Sequence, residues 1–415
     1  MNNDRNKFSP LVRRTKIASL LFSTGLCVVM LLGCAETAAD SEKVEPNYEK
    51  IGGSVIYDYD PTTRLGDKVF GTIVCDFEND NLSRNSHGGP VALELANGNL
   101  FAFYTNASGH NVDGWSEYSI SSDGGRTWEM YNKFNYSYNT YRNNPMVVAW
   151  VVSGLVTSEG TVVLFIIHMG NDVYGGVSEG VTNLGFMRSY DHGATWTGYQ
   201  PLDGSFVGFP VQVAVAGETN YVLFEVEGRE GPHVLYASTD DGRSWSKRST
   251  LPLDDENWYG ALCVMEDGRL LAGAYKTDDE HHLYYCISED EGRTWGEQKL
   301  AYLDKKIRDP KLAYLDGRYY LHGRSGQRGE GSRLFVVYQS EDGEDWGEGT
   351  IVSSFARSLD GYSQNVVINK YKEDVANELM VLYSIAYKFP NEPEFSYRHT
   401  NSYVFFIKRN DYANN

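Results

Sequence analysis

The sequence predicts an all-β protein, a β-propeller of six four-stranded antiparallel blades. A seventh blade would be added if residues 53–85 and the tail formed one together. Two observations support this prediction. A turn motif of the form Ser-x-Asp-x-Gly-x-Thr-Trp occurs five times, and its aspartates lie 68, 49, 50 and 52 residues apart. Each copy follows a short apolar, tyrosine-rich run. A repeat of about 50 residues with four short strands is typical of a propeller blade.

The motif copies are predicted to be structural turns and not catalytic groups. Serine and aspartate side chains can bond nearby backbone N–H groups, and glycine allows the positive φ that a tight hairpin needs. The tryptophan then covers the turn with a large apolar face. The copies are Ser121–Trp128, Ser189–Trp196, Ser238–Trp245, Ser288–Trp295 and the shorter Ser340–Trp346.

Each repeat opens with a further strand pair, as in "PVALELANGNLFAFYTN" and "ALCVMEDGRLLAGAY". The short "ANGN" and "EDG" segments predict the hairpin turns between these strands. A sixth unit, which begins with "GYSQNVVI", lacks the motif but keeps the strands, and "KVFGTIVCDF" is predicted to close the ring. We therefore expect residues 53–410 to form one propeller, which would be the catalytic domain.

The N-terminal segment predicts export. Basic residues precede an almost wholly apolar stretch at 17–32, and "LLGC" at 31–34 resembles the lipobox of bacterial lipoproteins. The resemblance implies a signal peptide over 1–33 and a lipid on Cys34. Residues 34–52 are then the lipidated cysteine and a flexible tether. We expect a protein anchored to the outer membrane or cell surface, which touches the membrane only through its lipid.

The charge excludes one class of partner. The formal net charge is −19, and it becomes −23 without residues 1–33, which carry five basic side chains and one acidic one. Nucleic-acid-binding domains are usually basic, so nucleic acid is not an expected partner. We expect a monomer.

Three cysteines remain after Cys27 and Cys34 are assigned to the export segment. An odd number excludes a complete set of disulfides, and buried thiols are the simplest interpretation. The remaining cysteines are Cys75, Cys263 and Cys286. Zinc binding by these thiols with His281 or His282 is the alternative. The predicted chemistry requires no cofactor, and a structural calcium or zinc ion stays an open alternative.

The strand order of a blade locates the expected site. The first strand descends from one end of the channel, the top, and the motif turn between the third and fourth strands lies at the bottom. The top is built from the starts of first strands and from the loops between second and third strands. Loops from all blades converge there on one channel, so the site is expected at the top.

Proton-carrying and cationic side chains are concentrated at these top positions. Histidine and tyrosine can move protons, and arginine binds carboxylates through a bidentate fork. The candidate residues are His87, His110, Asp113, Arg142, Asn144, Tyr174, Trp258, Tyr259, Arg308, Arg324 and Tyr362.

The repeated motif is similar to the Asp-box, or bacterial neuraminidase repeat, over about residues 85–350, so the chain resembles the sialidase superfamily. That resemblance implies three arginines for the substrate carboxylate, an aspartate as acid and base, and a tyrosine–glutamate pair as nucleophile. Asp113 and Tyr362 match the aspartate and tyrosine. Gly88 and Tyr275 stand where arginines are expected.

The chain also resembles the propeller-type ulvan lyases of marine bacteria. This second resemblance implies a histidine pair, His87 and His110, with Tyr174 as further proton carrier. Arg308 or Arg324 would then neutralise a uronate carboxylate during β-elimination. The expected substrate-binding residues are Arg142, Asn144, Trp258, Tyr259, Arg308, Arg324 and Tyr362.

Three functions are therefore open. The first is a lyase that cleaves an acidic, uronate-containing polysaccharide or oligosaccharide, sulfated or not, by β-elimination. The second is a sialidase-type glycoside hydrolase that uses Asp113 and Tyr362. The third is a glycan-binding propeller without catalytic activity, for which aromatic residues at the top would suffice. An unsaturated uronate product separates the first from the other two.

Overall fold

A computed structural model describes most of the chain from the first repeat onward. The described residues are 56–57, 72–73, 86, 88–109, 112–170, 183–202, 208–226, 233–254, 257–325, 333–354, 362–388, 392–394 and 400–408. All of them belong to one compact unit, Pro46–Asn415. The predicted signal peptide, Cys34 and the tether lie outside the described residues, as do His87, His110, Tyr174 and Cys75.

The described strands form six antiparallel sheets, and the predicted all-β propeller is confirmed. Blade one contains β3 (Val91–Glu94), β4 (Leu100–Gly109), β5 (Val112–Ser121) and β6 (Glu129–Lys133). Blades two and three are β7 (Val147–Val156), β8 (Val162–Gly170), β9 (Asn183–Ser189) and β10 (Gln200–Pro201), then β11 (Phe209–Ala216), β12 (Thr219–Glu225), β13 (His233–Ser238) and β14 (Ser246–Thr250). Blades four and five are β15 (Asn257–Val264), β16 (Leu270–Lys276), β17 (Asp279–Ser288) and β18 (Lys299–Tyr302), then β19 (Arg308–Leu315), β20 (Arg318–Arg324), β21 (Leu334–Ser340) and β22 (Thr350–Ser354).

Blade six closes the ring with strands from both ends of the propeller. It contains β23 (Ser363–Ile368), β24 (Glu378–Lys388) and β25 (Thr400–Lys408), and β2 (Thr72–Ile73) pairs with β25 as its outer strand. This confirms that "KVFGTIVCDF" closes the ring. The short strand β1 (Ile56–Tyr57) pairs with β24. The described strands before the first repeat thus join blade six, and they do not build a seventh blade.

One short helix, α1 (Asn135–Asn143), connects blades one and two and was not predicted. It packs against β5 and β7, where the Ser137 hydroxyl accepts a hydrogen bond of 2.8 Å from the Ser116 N–H. The helix ends two residues before Pro145, whose ring disfavours helical backbone at the preceding residue. Within the described ranges, no helix has the length and apolar character needed to cross a membrane.

The hydrophobic core is divided among the six junctions between neighbouring blades. Each junction has its own cluster of buried side chains, including the one that joins blade one to blade six. The first strands of neighbouring blades contact one another around the channel. The ring is therefore held by apolar packing between sheets and encloses a channel lined by first strands.

The Asp-box turns are structural, as predicted. In the second copy, the Ser189 hydroxyl donates to the Asp191 carboxylate at 2.8 Å, while the Thr195 N–H and hydroxyl donate to it at 2.8 and 2.6 Å. The Gly193 N–H donates to the Ser189 hydroxyl at 2.8 Å. Because Thr195 and Ser189 stabilise the charged carboxylate, the pKa of Asp191 falls from 3.8 to about 2.

Each box also joins its blade to the preceding one. Trp245 of blade three packs against Phe165 of blade two, with ring centroids 5.1 Å apart. A Cβ on Gly242 would lie 2.6 Å from the Val163 side chain, and Gly242 has a φ of +70°. Glycine is thus required here both for backbone conformation and for the close approach of the two blades. The tryptophan covers the junction between blades, a role wider than the predicted cover of its own turn.

Candidate functional site

The top of blades four, five and six brings four of the predicted site residues together. They are Tyr259 at the start of β15, Arg308 at the start of β19, Arg324 at the end of β20 and Tyr362 just before β23. These are first-strand starts and a second-strand end, as the topology requires. Trp258 precedes Tyr259 in β15, where its backbone pairs with Tyr275.

A buried ion pair lies within this cluster. The Arg324 Nε donates to the Asp309 Oδ2 at 2.7 Å, and the two side chains are only 4% and 3% exposed. Asp309 has a φ of +53°, in a bulge between Arg308 and Lys311. A Cβ on Gly323 would lie 2.6 Å from the Arg308 carbonyl, so glycine allows the two strands to approach closely. The carboxylate of Asp309 is thus bound by Arg324, which lies across the strand pair, and not by its sequence neighbour Arg308.

Three tyrosine rings lie next to the ion pair. The Arg324 guanidinium lies 4.0 Å from the centroid of the Tyr362 ring. Tyr259 lies between the other two rings, 6.5 Å from Tyr362 and 6.1 Å from Tyr275, and it is stacked on Tyr275. Burial and the nearby Asp309 carboxylate raise the pKa of Tyr259, so its hydroxyl stays protonated and can donate a hydrogen bond.

The backbone at Tyr259 is strained. Its φ is +48°, which is uncommon for a bulky residue. Its N–H donates to the Glu225 Oε2 at 3.2 Å, and its carbonyl contacts the ring of His233. These two contacts hold the strained residue at the channel mouth, and strain held in this way is common at functional sites.

Several buried polar atoms of the cluster have no hydrogen-bond partner among the described residues. They are the Tyr275 hydroxyl, the Arg308 Nε and the Asp309 Oδ1. The Arg308 guanidinium lies 5.5 Å from the centroid of the Tyr275 ring. Buried polar groups are normally satisfied, so such a concentration indicates a place where a ligand or water completes the hydrogen bonds.

Below the cluster, polar side chains fill the channel wall. Gln212 of blade three donates to the Leu312 carbonyl at 2.6 Å and accepts the Leu262 N–H at 3.0 Å, which connects blades three, four and five. His322 contacts the Ser363 hydroxyl at 3.2 Å and the Asn365 amide at 2.8 Å. Burial lowers the pKa of His322 to about 3, so this histidine is neutral and structural.

Lys311 lies buried in the same wall, close to the ion pair. Its ammonium donates to the Pro310 carbonyl at 3.2 Å. Burial lowers its pKa from 10.5 to about 8, against the opposite effect of the Asp309 and Glu225 carboxylates. Near the channel mouth, the cationic Lys311 and Arg324 therefore lie close to the anionic Asp309.

Other predicted site residues lie away from this cluster. Arg142 is in the last turn of α1 and Asn144 follows it, and both are exposed between blades one and two. Asp113 is half-buried near the start of β5 and has a φ of +39°. Arg142 and Asn144 were placed at a first-strand start because the helix before β7 was not recognised.

The described residues beside His87 and His110 belong to adjacent segments at the top of blade one. Ser86 exchanges two backbone hydrogen bonds with Ala107, and the Thr105 N–H donates to the Gly88 carbonyl. Gly109 pairs with Val112 across the β4–β5 hairpin.

The two described cysteines are buried thiols, as predicted. Cys263 and Cys286 are free and lie in two different clusters of the core. Burial raises the pKa of each thiol to about 12. Among the described residues, no group of three or more histidine, cysteine, aspartate and glutamate side chains could hold a metal ion.

A pocket of about 390 Å³ opens beside Arg308, between the β16–β17 turn and the loop before β19. Its lining residues are Thr277, Asp278, Asp279, Glu280, His281, Lys306 and Arg308. The sequence provided no signal for this pocket, because it is formed by two segments that only the fold brings together.

Comparisons with known proteins agree with this architecture. Residues 208–369 match the BNR repeat-like domain. The described part of the chain folds as a six-bladed propeller, and the matched residues cover blades three to five and the first strand of blade six. The predicted repeat and the predicted propeller fold are thus confirmed. A search of curated proteins finds no match.

Solved structures share the fold at low sequence identity. A protein of unknown function from Dyadobacter fermentans is 16% identical, with a TM-score of 0.60 over 82% of this chain and 99% of that one. The intramolecular trans-sialidase from Ruminococcus gnavus is 14% identical, with a TM-score of 0.55 over 83% and 97%. The α-L-arabinanase from Penicillium chrysogenum is 14% identical, with a TM-score of 0.53 over 82% and 98%. Such likeness establishes the fold and leaves the reaction to the site.

Proposed function

We propose that the protein degrades an acidic, uronate-containing polysaccharide by β-elimination at the top of its channel. One observation carries the proposal. Two guanidinium groups and three tyrosine rings from successive blades meet at the channel mouth, with buried polar atoms that lack partners among the described residues. The half-buried rings of Tyr259 and Tyr362 suit sugar faces, and the half-buried guanidinium of Arg308 suits a carboxylate. The shared fold with a trans-sialidase and an arabinanase supports a glycan as ligand.

Arg308 is the cation that best fits the substrate carboxylate. Arg324 is already paired with Asp309 and is almost fully buried. Arg308 is half-buried, opens onto the pocket and has no ion-pair partner among the described residues. By neutralising the carboxylate, it would make the neighbouring C5 proton easier to remove.

The proton carriers of the proposed reaction are His87, His110 and Tyr174. One of them takes the C5 proton as base, the C4–O4 bond breaks as the C4–C5 double bond forms, and another returns a proton to the leaving oxygen. The proposal is supported by the pairing of Ser86 and Gly88 with β4, because the described residues on either side of His87 are thereby neighbours of the strand that precedes His110 in the sequence.

A sialidase-type hydrolase is the second candidate, and Tyr362 favours it. This tyrosine lies at the channel mouth against Arg324, where the resemblance to sialidases places a nucleophile. The ring beside it is that of Tyr259, whose raised pKa keeps its hydroxyl protonated and therefore unable to accept a proton. Gly88 and Tyr275 also replace two expected arginines.

The test is to incubate the purified protein with ulvan, alginate and polygalacturonate, and with a sialylated oligosaccharide. Elimination would give new reducing ends together with the ultraviolet absorbance of an unsaturated uronate. Hydrolysis would give reducing ends or free sialic acid without that absorbance, and would replace the proposal by the second candidate. Binding without any product would indicate a glycan-binding propeller and overturn both.

A further inference from the structure

We propose that the top of blade four carries an outer subsite, which binds an acidic sugar unit of a polymeric glycan beside the channel cluster. This inference rests on the proposed function in one respect, since it takes a glycan as the ligand. It adds that the substrate is a chain and not a single sugar, and that the chain runs outward across blade four.

The pocket has fixed walls. The Ile307 N–H donates to the Glu280 carbonyl and the Leu303 N–H donates to the His281 carbonyl, both at 2.8 Å. These bonds connect the loop before β19 to the start of β17. The pocket is therefore built before any ligand arrives, and binding would need little ordering of the backbone.

Lys306 and Arg308 are two cations in the pocket that could bind an anion. Neither Lys306 nor Arg308 forms an ion pair with any residue in the described part of the chain, and the Arg308 Nε is a buried atom without a partner there. The nearby Asp279 carboxylate is already engaged, because it accepts hydrogen bonds of 2.9 Å from His282 and 2.6 Å from Tyr284. A carboxylate or sulfate on a sugar would form an ion pair with each of the two cations.

Two further carboxylates of the pocket suit the rest of a sugar ring. Asp278 is exposed at the mouth, and Glu280 is half-buried. Carboxylates accept hydrogen bonds, and sugar hydroxyls donate them. The pocket thus offers cations for an acidic substituent and hydrogen-bond acceptors for hydroxyls. This combination fits an acidic pyranose better than a simple anion.

Tyr302 offers a platform at the outer side of the pocket. Its side chain is exposed (65%), and it is stacked with His281 at a centroid distance of 6.2 Å and an angle of 14°. The His281 Nδ1 donates to the Leu303 carbonyl at 3.0 Å, which fixes that ring. An exposed aromatic ring with a fixed neighbour can pack against the apolar C–H face of a pyranose.

The platform and the channel cluster are connected by a continuous series of side chains. Tyr362 contacts Tyr259, Tyr259 stacks on Tyr275, and Arg308 lies over Tyr275 and reaches the pocket. Tyr302 is on β18, three strands out from the channel strand β15. Three strand spacings are about 14 Å, which exceeds the length of one sugar ring.

The experiment compares binding and turnover in Tyr302→Ala and Lys306→Gln. Equilibrium binding of the full-length protein to ulvan, alginate and polygalacturonate is measured at fixed salt, with neutral dextran for comparison. We expect each variant to weaken binding of the preferred polyuronate by about tenfold. We expect kcat/KM on the shortest cleavable oligosaccharide to stay unchanged, since that substrate would fill only the channel cluster.

Matched variants control for unspecific effects. Tyr302→Phe keeps the ring and should bind as the wild type does. Tyr190→Ala removes a tyrosine of similar exposure (57%) from the second Asp-box turn at the bottom, and Lys247→Gln removes an exposed lysine from blade three. Neither should change binding.

Wild-type affinity in both Tyr302→Ala and Lys306→Gln would overturn the subsite, and so would an equal loss of kcat/KM on polymer and short substrate. Absence of binding to every polyuronate would overturn it as well. If the wild type binds a polyuronate but releases no product, the proposed cleavage fails, while the binding measurements still decide the subsite.

Discussion

The two ends of the propeller use the same polar side chains in opposite ways. At the bottom, Asp191 accepts three hydrogen bonds from its own turn, and its pKa falls to about 2. At the top, Asp309 stands in a strained conformation, is buried against Arg324 and keeps one oxygen without a partner in the described structure. The bottom is built for stability, and the top keeps polar groups available.

This difference indicates which residues can be substituted with little effect on the rest of the molecule. The hydrogen bonds of the exposed turn are satisfied within the turn, so the same turn can be repeated in five blades and packed each time on the preceding blade. A buried ion pair under three aromatic rings depends on residues from three blades, so it occurs once among the described residues. Groups whose hydrogen bonds are satisfied within one turn are typical of structural elements, whereas groups that depend on several blades are typical of a functional site.

The largest expected effect is at the top ion pair. Asp309→Asn keeps the side-chain volume and tolerates the positive φ, but it leaves the Arg324 charge buried without its carboxylate. We expect a loss of about 3–5 kcal/mol in the free energy of unfolding, measured by denaturant titration. Glu291→Gln, at the exposed bridge to Arg248, should cost less than about 1 kcal/mol. Equal losses in the two variants would contradict the comparison.

The bottom should be most sensitive at its tryptophans. Trp245 is 8% exposed and packs on blade two, so Trp245→Ala should lower the unfolding free energy by about 3 kcal/mol or more. Molecules that remain folded should bind glycan with unchanged affinity. Part of any loss of affinity will come from unfolded molecules. If the loss exceeds that part, the Asp-box turn influences the site.

Glycine substitutions separate backbone strain from contact between blades. Gly242→Ala would place a Cβ 2.6 Å from Val163, whereas a Cβ on Gly217, also at positive φ, meets nothing within 4 Å. We expect a cost of about 1 kcal/mol for Gly217→Ala from the backbone alone. Gly242→Ala should cost about 1–3 kcal/mol more, from overpacking. Thermal unfolding of both variants checks the difference, and equal costs would mean that the blades adjust freely.

The remaining effect concerns pH, develops gradually over several pH units and reports on the buried histidines of the top half. Burial lowers the pKa of His322 from 6.5 to about 3 and that of His233 from 6.5 to about 4. Between these values the unfolded chain binds protons that the folded chain does not. Stability should therefore fall as the pH drops below 6.5, by about 1.4 kcal/mol per pH unit for each histidine. The bottom aspartates add a further loss only as the pH falls from 3.8 to about 2.

The variant that checks this is His322→Gln, which removes one titrating group. The slope of unfolding free energy against pH between about 4 and 6.5 should then decrease by the contribution of one histidine. An unchanged slope would show that His322 is not held neutral in the folded protein.

The fold could be predicted because its signals are local. The motif at Ser121–Trp128 contains its own turn chemistry, and its repetition indicates blades whatever their partners are. The helix α1 was overlooked because its asparagine- and tyrosine-rich sequence has weak helix propensity, and tertiary contacts such as that of Ser137 with blade one stabilise it.

The position of the site could be predicted from the sequence, but the ion pair between Arg324 and Asp309 could not. Strand order alone brought Tyr259, Arg308, Arg324 and Tyr362 to one end. The choice of Arg324 as partner of Asp309 depends on a bulge between Arg308 and Lys311, which shifts the register of β19 against β20. Such a shift has no clear signature in a single sequence. The outer pocket was missed for a similar reason, since two distant segments form it.

The most direct test of the proposed function measures the cleavage of one substrate by His87→Ala, His110→Ala, Asp113→Asn and Tyr362→Phe. Under elimination, loss of a proton carrier should lower turnover by about a hundredfold or more in both histidine variants. The Asp113 and Tyr362 variants should lose little, and all four should keep the wild-type unfolding midpoint. Full activity in both histidine variants, with loss in the other two, would contradict the lyase mechanism and favour hydrolysis at Tyr362.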